Sequence, residues 1–292
     1  MSLSLRPLDH LVLPVVDLST ARLRLSALGF AVAPEARHPF GTANACIYFA
    51  DSTYLEPIAI ADRQLYEQSL ATAEFVRRDR AFRFLNGDDG LSAFVFKSAD
   101  AARDHDEFAR AGLAAGDLFS FSRPFMKADG SEATAGFRLA FAADLRAPDL
   151  FFFTCERLQP LAPDASLIGH QNGVTGVSEL LLCEDNPMDF EPLLQMLSGA
   201  GEAVIHPEGF TASLPSTALS VFTHAHLQSR YGIERKSHRR GLSAAAIIFE
   251  TADLSNLSDI LQANEIAATE AEGSIVVPPA PGQGVTFIFR EN

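Results

Sequence analysis

The sequence predicts a mixed α+β protein of four βαβββ modules joined as two tandem pairs, and three observations carry that prediction. The first is local: an apolar run, Leu8–Val16, is followed by a capped helical stretch that stops at Gly29, and strand-like runs then continue to Ile60. The second is that the same order of elements returns along the chain. The third is that short strings recur at matching places, His38-Pro39-Phe40-Gly41 as His206-Pro207-Glu208-Gly209 and Gly90-Leu91-Ser92-Ala93 as Gly241-Leu242-Ser243-Ala244. A repeated order of elements is best explained by a repeated unit.

In the first module Asp17 is placed to cap a helix whose apolar residues Leu18, Ala21, Leu25 and Leu28 fall on one face. Strands are expected near 31–36, 43–50 and 53–60, and residues 61–86 read as a polar helical connection. The turn cluster Asn86-Gly87-Asp88-Asp89-Gly90 separates the modules. The second opens with a strand at 91–96, caps a helix at Asp100, ends it near Gly112 and closes with strands near 118–125, 136–142 and 150–155. After a Pro-rich link, the third begins with a strand at 177–183 and a helix led by Asn186-Pro187, with Phe190, Leu193, Leu194 and Leu197 on its buried stripe. The fourth runs from Gly241 through a cap at Asp253 to a last strand at 286–291. The expected division is an N-terminal pair, 1–160 (modules 8–60 and 90–157), and a C-terminal pair, 170–292 (modules 173–232 and 241–291).

Two polar residues stand out because they interrupt apolar strands: His10 in the first strand and Glu56 in the last strand of the first module. An unpaired buried polar group costs on the order of 1–3 kcal/mol, so the two are expected to share a site. Composition narrows the partners. With 47% hydrophobic and 21% charged residues the chain has the mixture of an ordered globular protein. A formal net charge of −14 opposes binding to nucleic acid or an anionic membrane. Cys46, Cys155 and Cys183 lie far apart without CxxC spacing, which argues for reduced, buried thiols rather than a disulfide framework or thiolate zinc site. No signal-peptide core or membrane-length apolar run is seen, so the expected location is cytoplasmic and the expected partner a small molecule. Two complete pairs in one chain fit a monomer or a homodimer.

Paired modules that open Asp9-His10-Leu11-Val12 and close Tyr54-Leu55-Glu56 resemble the vicinal-oxygen-chelate superfamily, which includes glyoxalase I, extradiol dioxygenases and bleomycin-resistance proteins. The strings at 38–44 and at His170-Gln171-Asn172-Gly173 resemble, more narrowly, the glyoxalase-like domain proteins. The resemblance implies two glyoxalase-like domains with cupped mixed sheets. It also implies a divalent ion (Zn, Mn, Fe, Co or Ni) in the N-terminal cup, held by His10, Glu56 and Glu156, with Glu156 as ligand or general base. The corresponding position in the second module is Ala93, so one expected ligand is missing.

The activity that the resemblance implies is that of a metal-dependent enzyme of lyase or isomerase type acting on a small oxygen-rich substrate. The competing readings are a metal-free protein that binds and sequesters a small molecule, as bleomycin-resistance proteins do, or a ring-cleaving dioxygenase. His38, Asn44, Phe40 and Phe125 are the expected substrate-binding residues. The register set by the repeated HPxG string places a second candidate set, Glu179, His224 and Glu291, in the C-terminal pair, with His224 and His226 alternating along a strand.

Overall fold

The protein is described by a computed structural model covering residues 5–126, 132–159, 163–235 and 239–291, with backbone alone at 125, 126, 132 and 133. The N-terminal half contributes β1 (Leu8–Pro14), α1 (Leu18–Ala27), β2 (Ala36–Arg37), β3 (Thr42–Asn44), β4 (Ile47–Tyr48), β5 (Tyr54–Ile60), α2 (Arg63–Ser69), α3 (Glu74–Asn86), β6 (Ala93–Ser98), α4 (Ala101–Arg110), β7 (Phe119–Met126), β8 (Glu132–Ala142) and β9 (Phe151–Arg157). The C-terminal half contributes β10 (Val174–Cys183), α5 (Glu191–Ser198), β11 (Val204–His206), β12 (Gly209–Ser213), β13 (Ala218–Phe222), α6 (His224–Tyr231), β14 (Ser243–Thr251), α7 (Leu254–Ala263), β15 (Thr269–Ala271), β16 (Ser274–Val277) and β17 (Thr286–Glu291).

The strands form two mixed sheets with one topology. The first runs β2-β3-β5-β1-β6-β9-β8-β7, with β4 paired to β5, and the second runs β11-β12-β13-β10-β14-β17-β16-β15. In each, the first strands of the two modules lie side by side and antiparallel at the centre, and each is parallel to the last strand of its own module. This is the expected fold of four modules in two pairs.

Alternation decides which residues face where. Leu11, Leu13, Phe94, Phe96 and Phe152 of the first sheet share one apolar core with Leu180, Leu182, Ile247, Phe249, Phe287 and Phe289 of the second. Helix residues Leu25, Phe108, Leu194 and Leu257 fill the same core. The opposite faces form separate clusters, one around Val12, Val95 and Phe153, the other around Leu181, Ile248 and Ile288. The helical faces therefore share a core, and the two cup faces turn away from each other.

Several elements differ from expectation. The strand expected at 31–36 shrinks to Ala36–Arg37, because the carbonyls of Val32 and Ala33 accept from the Arg22 guanidinium at 2.9 and 2.7 Å and not from a neighbouring strand. The connection at 61–86 is a pair of helices, and it is not polar throughout. Tyr66, Ala73, Phe75 and Val76 are buried against the cup face of the first sheet. The HPxG glycines are explained by close approach. Gly41 has φ +90°, and a Cβ there would lie 2.4 Å from Tyr66 N; a Cβ on Gly209 would lie 1.9 Å from Val221 O.

Candidate functional site

The floor of the N-terminal cup is built from β1, β3 and β5. On β1, His10 and Val12 face the cup, and a register shift between Leu8 and His10 brings Asp9 to the same side. On β5, alternation puts Tyr54, Glu56 and Ile58 on the cup face, and β3 adds Thr42 and Asn44. The expected meeting of His10 and Glu56 is found: His10 Nε2 lies 3.3 Å from Glu56 Oε2, with the residues 3% and 7% exposed. Asn44 Nδ2 donates to Glu56 Oε1 at 2.6 Å. His38 Nε2 lies 3.7 Å from the same oxygen and 3.4 Å from Asn44 Nδ2, while its Nδ1 is 2.9 Å from Thr42 Oγ1.

Behind this cluster lies a second row of partners that the sequence expectation does not include. His10 Nδ1 donates to Asp9 Oδ2 at 2.8 Å, and Arg157 Nη2 donates to both oxygens of Asp9, also at 2.8 Å. Tyr54 stacks on the His10 ring at 4.4 Å, and the Arg157 guanidinium lies over Tyr54. Arg157 has a readable signal, a cation in phase with Phe151, Phe153 and Cys155. The bulge that turns Asp9 inward has none.

Burial and charge set the protonation of these groups. Burial pushes the His10 imidazolium down, but its bonds to Asp9 and Glu56 and their charges outweigh this and raise its pKa. Burial likewise pushes the Glu56 carboxyl up, and the His10 hydrogen bond and charge, the nearby His38 and the Asn44 amide reverse it, to about 2. His38 is held neutral mainly by burial, which takes its pKa down to about 4. The site thus sets a carboxylate against an imidazole whose protonated form Asp9 and Glu56 favour, beside a neutral imidazole.

The wall above the pair is aromatic. Phe40 stacks on His38 at 5.0 Å and meets Phe75, Phe119 and Phe121, and Phe121 stacks on Phe137. Phe40, His38 and Asn44 therefore line the cup as expected. The side chain of Phe125 lies outside the described residues. Arg123, at the edge of this wall, has its guanidinium 5.9 Å from the Phe137 ring centre and a buried Nε with no hydrogen-bond partner.

Glu156 is not brought to the site. On β9 the cup side carries Phe151, Phe153 and Cys155, so Glu156 falls on the helical side. There its Oε2 accepts from Ala101 N at 3.0 Å, at the start of α4, and lies 3.4 Å from Arg138 Nη1. The strand position equivalent to Glu56 is Phe153, three residues earlier, and an odd offset along a strand puts Glu156 on the opposite face.

Register identifies the residues that stand where further metal donors would. His10 precedes the cap Asp17 by the same interval as Ala93 precedes the cap Asp100. Two residues further along each strand, Val12 pairs with Glu56 and Val95 pairs with Phe153. The counterparts of His10 and Glu56 in the second module are thus Ala93 and Phe153, and the Phe153 ring packs edge-on against His10 at 5.8 Å. Among the described residues, no group of three or more His, Cys, Asp or Glu is arranged to hold a metal ion. With half the cup apolar, the donor set does not fit a divalent ion coordinated from both modules.

The second expected set is also rearranged. Glu179 pairs with Ala218 as His10 pairs with Tyr54, and Leu181 pairs with Ser220 as Val12 pairs with Glu56. The counterpart of Glu56 is therefore Ser220 and not His224. His224 lies at the start of α6, where Thr223 Oγ1 caps the helix by accepting from His226 N at 3.3 Å and left-handed Gly232 ends it. Glu291 is exposed at the end of β17, and it is the preceding Arg290 that reaches Glu179, at 3.0 Å. Cys46, Cys155 and Cys183 are buried free thiols, and burial raises the Cys46 pKa to about 12. No helix among the described residues is long and apolar enough to cross a membrane.

Residues 8–198 match the family model described as "Glyoxalase-like domain". No curated protein matches the chain. Among solved structures, a hypothetical protein from Staphylococcus aureus is similar over 98% of this chain and 99% of its own, at 11% identity and TM-score 0.66. A mutant 4-hydroxymandelate synthase from Streptomyces coelicolor is similar over 98% and 92%, at 12% identity and TM-score 0.57. The 2,2',3-trihydroxybiphenyl 1,2-dioxygenase of Sphingomonas wittichii strain RW1 is similar over 99% and 91%, at 13% identity and TM-score 0.51. At these identities the likeness to solved structures is one of fold.

Proposed function

The chain belongs to the glyoxalase-like domain family, and from that membership we propose that its N-terminal cup is a metal-independent binding site for a small hydroxylated aromatic molecule. The observation that carries this reading is the asymmetry of the cup. One module supplies the His10–Glu56 pair, and the other supplies Ala93 and Phe153 in the corresponding places. A ligand with a polar end and an apolar ring matches both halves. The named dioxygenase neighbour acts on a molecule of that kind, a trihydroxybiphenyl, which is consistent with the reading.

The residues define what the site does to such a ligand. Asp9 and Arg157 fix the His10 ring so that Nε2–H points into the cup, and Asn44 fixes Glu56. The gap of 3.3 Å between them is longer than a charged hydrogen bond usually adopts, about 2.7–2.9 Å, so both partners have capacity to spare. A ligand hydroxyl set against the pair accepts from His10 and donates to Glu56. Proton abstraction is poorly served, because a carboxylate held at about 2 is a weak base, far from the value near the operating pH that general-base catalysis favours. Binding and retention fit these residues better than turnover. Isomerase or lyase chemistry on a divalent ion would have to rely on His10, His38 and Glu56 alone.

The test is calorimetric titration of chelator-treated protein with catechol and phenol, beside elemental analysis of protein purified without chelator. The reading expects binding that persists after chelation and weakens at least tenfold in His10→Gln and Glu56→Gln. One tightly held divalent ion per chain, lost in His10→Ala and needed for binding, would replace it with the metalloenzyme reading.

A further inference from the structure

Among the described residues, every buried or half-buried arginine but one meets a carboxylate, a backbone carbonyl or a side-chain amide, as Arg6 meets Asp104, Arg83 meets Asp79 and Arg157 meets Asp9. Arg123 is the exception. It is half-buried on β7 and makes no hydrogen bond or ion pair among the described residues. In a chain with 37 acidic residues and 23 lysines and arginines, an unanswered guanidinium does not come from a shortage of carboxylates.

Strand phase puts this cation in the N-terminal cup. Phe119 and Phe121 pack against the cup-face cluster, and Arg123 lies two residues further along the same face of β7, paired across to the buried Ala135 of that cluster. Its guanidinium stands 5.9 Å from the centre of the Phe137 ring, Phe137 stacks on Phe121 at 5.0 Å, and Phe121 meets His38 edge-on at 5.9 Å. The cation is close enough for its charge to help lower the His38 pKa, and His38 lies 3.7 Å from Glu56. The cup therefore runs from the His10–Glu56 pair, along an aromatic wall, to a positive charge at its edge.

What Arg123 can receive depends on which of its atoms are open. Nε is sealed from solvent and takes no part, whereas the terminal nitrogens Nη1 and Nη2 are not sealed and form the fork that matches a carboxylate. A cation half withdrawn from water attracts an anion more strongly than a fully exposed one does. We infer that Arg123 is a specificity-determining residue of the N-terminal cup, selecting a hydroxylated aromatic molecule that also carries a carboxylate, of which a hydroxybenzoate is the simplest. This rests on the reading of the cup as an aromatic binding site and adds an anionic end to its ligand.

The test is calorimetric titration of the chelator-treated full chain with 3- and 4-hydroxybenzoate, their uncharged methyl esters, phenol and benzoate, in the wild type, Arg123→Gln and Arg123→Lys. The better hydroxybenzoate is expected to bind at least tenfold more tightly than its ester. That ratio should fall to near one in Arg123→Gln, recover in part in Arg123→Lys and shrink as salt is raised, while phenol binds Arg123→Gln as it binds the wild type. An ester as tight as its acid, or a preference for the acid that survives Arg123→Gln, overturns the inference, and phenol binding then shows that the aromatic site stands without it. Benzoate binding as tightly as the hydroxybenzoates, with phenol unbound, keeps the role of Arg123 and overturns that of the His10–Glu56 pair. No binding by any probe overturns both. Equal thermal midpoints establish that the variants fold as the wild type does.

Discussion

At the scale of single residues, the His10–Glu56 pair ties stability to pH. His10 has a raised pKa, so its contribution is complete below its ordinary value of 6.5 and is lost as pH rises through the higher folded value. Glu56 has a lowered one, so its contribution is present above its ordinary value of 4.5 and is lost as pH falls toward about 2. The pair therefore stabilises most between 4.5 and 6.5. Urea unfolding from pH 3 to 9 should show the wild type losing stability on both sides of that window relative to a His10→Gln/Glu56→Gln double variant. A difference independent of pH would mean that the pair is not ionised. His10→Ala alone should cost about 3–5 kcal/mol, since it takes the cationic partner from buried Glu56, which keeps only the Asn44 amide, while Asp9 keeps Arg157. The pair itself is legible in the sequence because two polar residues interrupt apolar strands. Glu156 is not, because acidic residues at a strand's end carry no mark of phase, and the preceding Phe-Phe-Phe run hides which face is which.

At the scale of elements, the helices α2 and α3 are the least legible part of the N-terminal half. Their sequence is rich in arginine and acid, and the apolar face that Tyr66, Ala73, Phe75 and Val76 present to the cup is too short to stand out. Its role is packing over the aromatic wall. Phe75→Ala should cost about 3–5 kcal/mol and expose that wall to the dye ANS under native conditions. An ANS signal no different from the wild type's would show that the helices do not cover the cup. The duplicated glycine makes a sharper test of the HPxG turn. Gly41→Ala should destabilise more than a substitution in a surface loop, because the position has positive φ and its Cβ would meet backbone atoms of Tyr66. A midpoint within a degree of the wild type would refute that. Conversely, the His-x-His pair of α6 imitates strand alternation, and only the capping role of Thr223 distinguishes it from a strand.

At the scale of the molecule, the two halves are joined by more than a linker. Leu11 and Phe94 lie in the same core as Leu180 and Phe249, and polar contacts cross between the halves: Asn172 Nδ2 donates to Leu28 O at 2.8 Å, and Gly282 N donates to Asp89 Oδ1 at 2.7 Å. His170 accepts from Ala31 N and bonds Tyr48 O, both at 3.0 Å. We expect one cooperative heat-absorption peak, with calorimetric and van't Hoff enthalpies equal, rather than one peak for each half. Two resolved peaks would mean that the shared core does not couple them. The module order is readable because it is written four times. The shared core is not, because apolar residues on the helical side do not reveal which sheet they will meet.

The outward turn of the two cup faces also limits how the molecule can use its two cups. A compound bound in one cup would have to cross bulk water to reach the other, because the two cup faces form separate clusters on opposite sides of the shared core. At corresponding positions the N-terminal cup carries His10 and Glu56 and the C-terminal cup Glu179 and Ser220, so the two repeated faces present different chemistry.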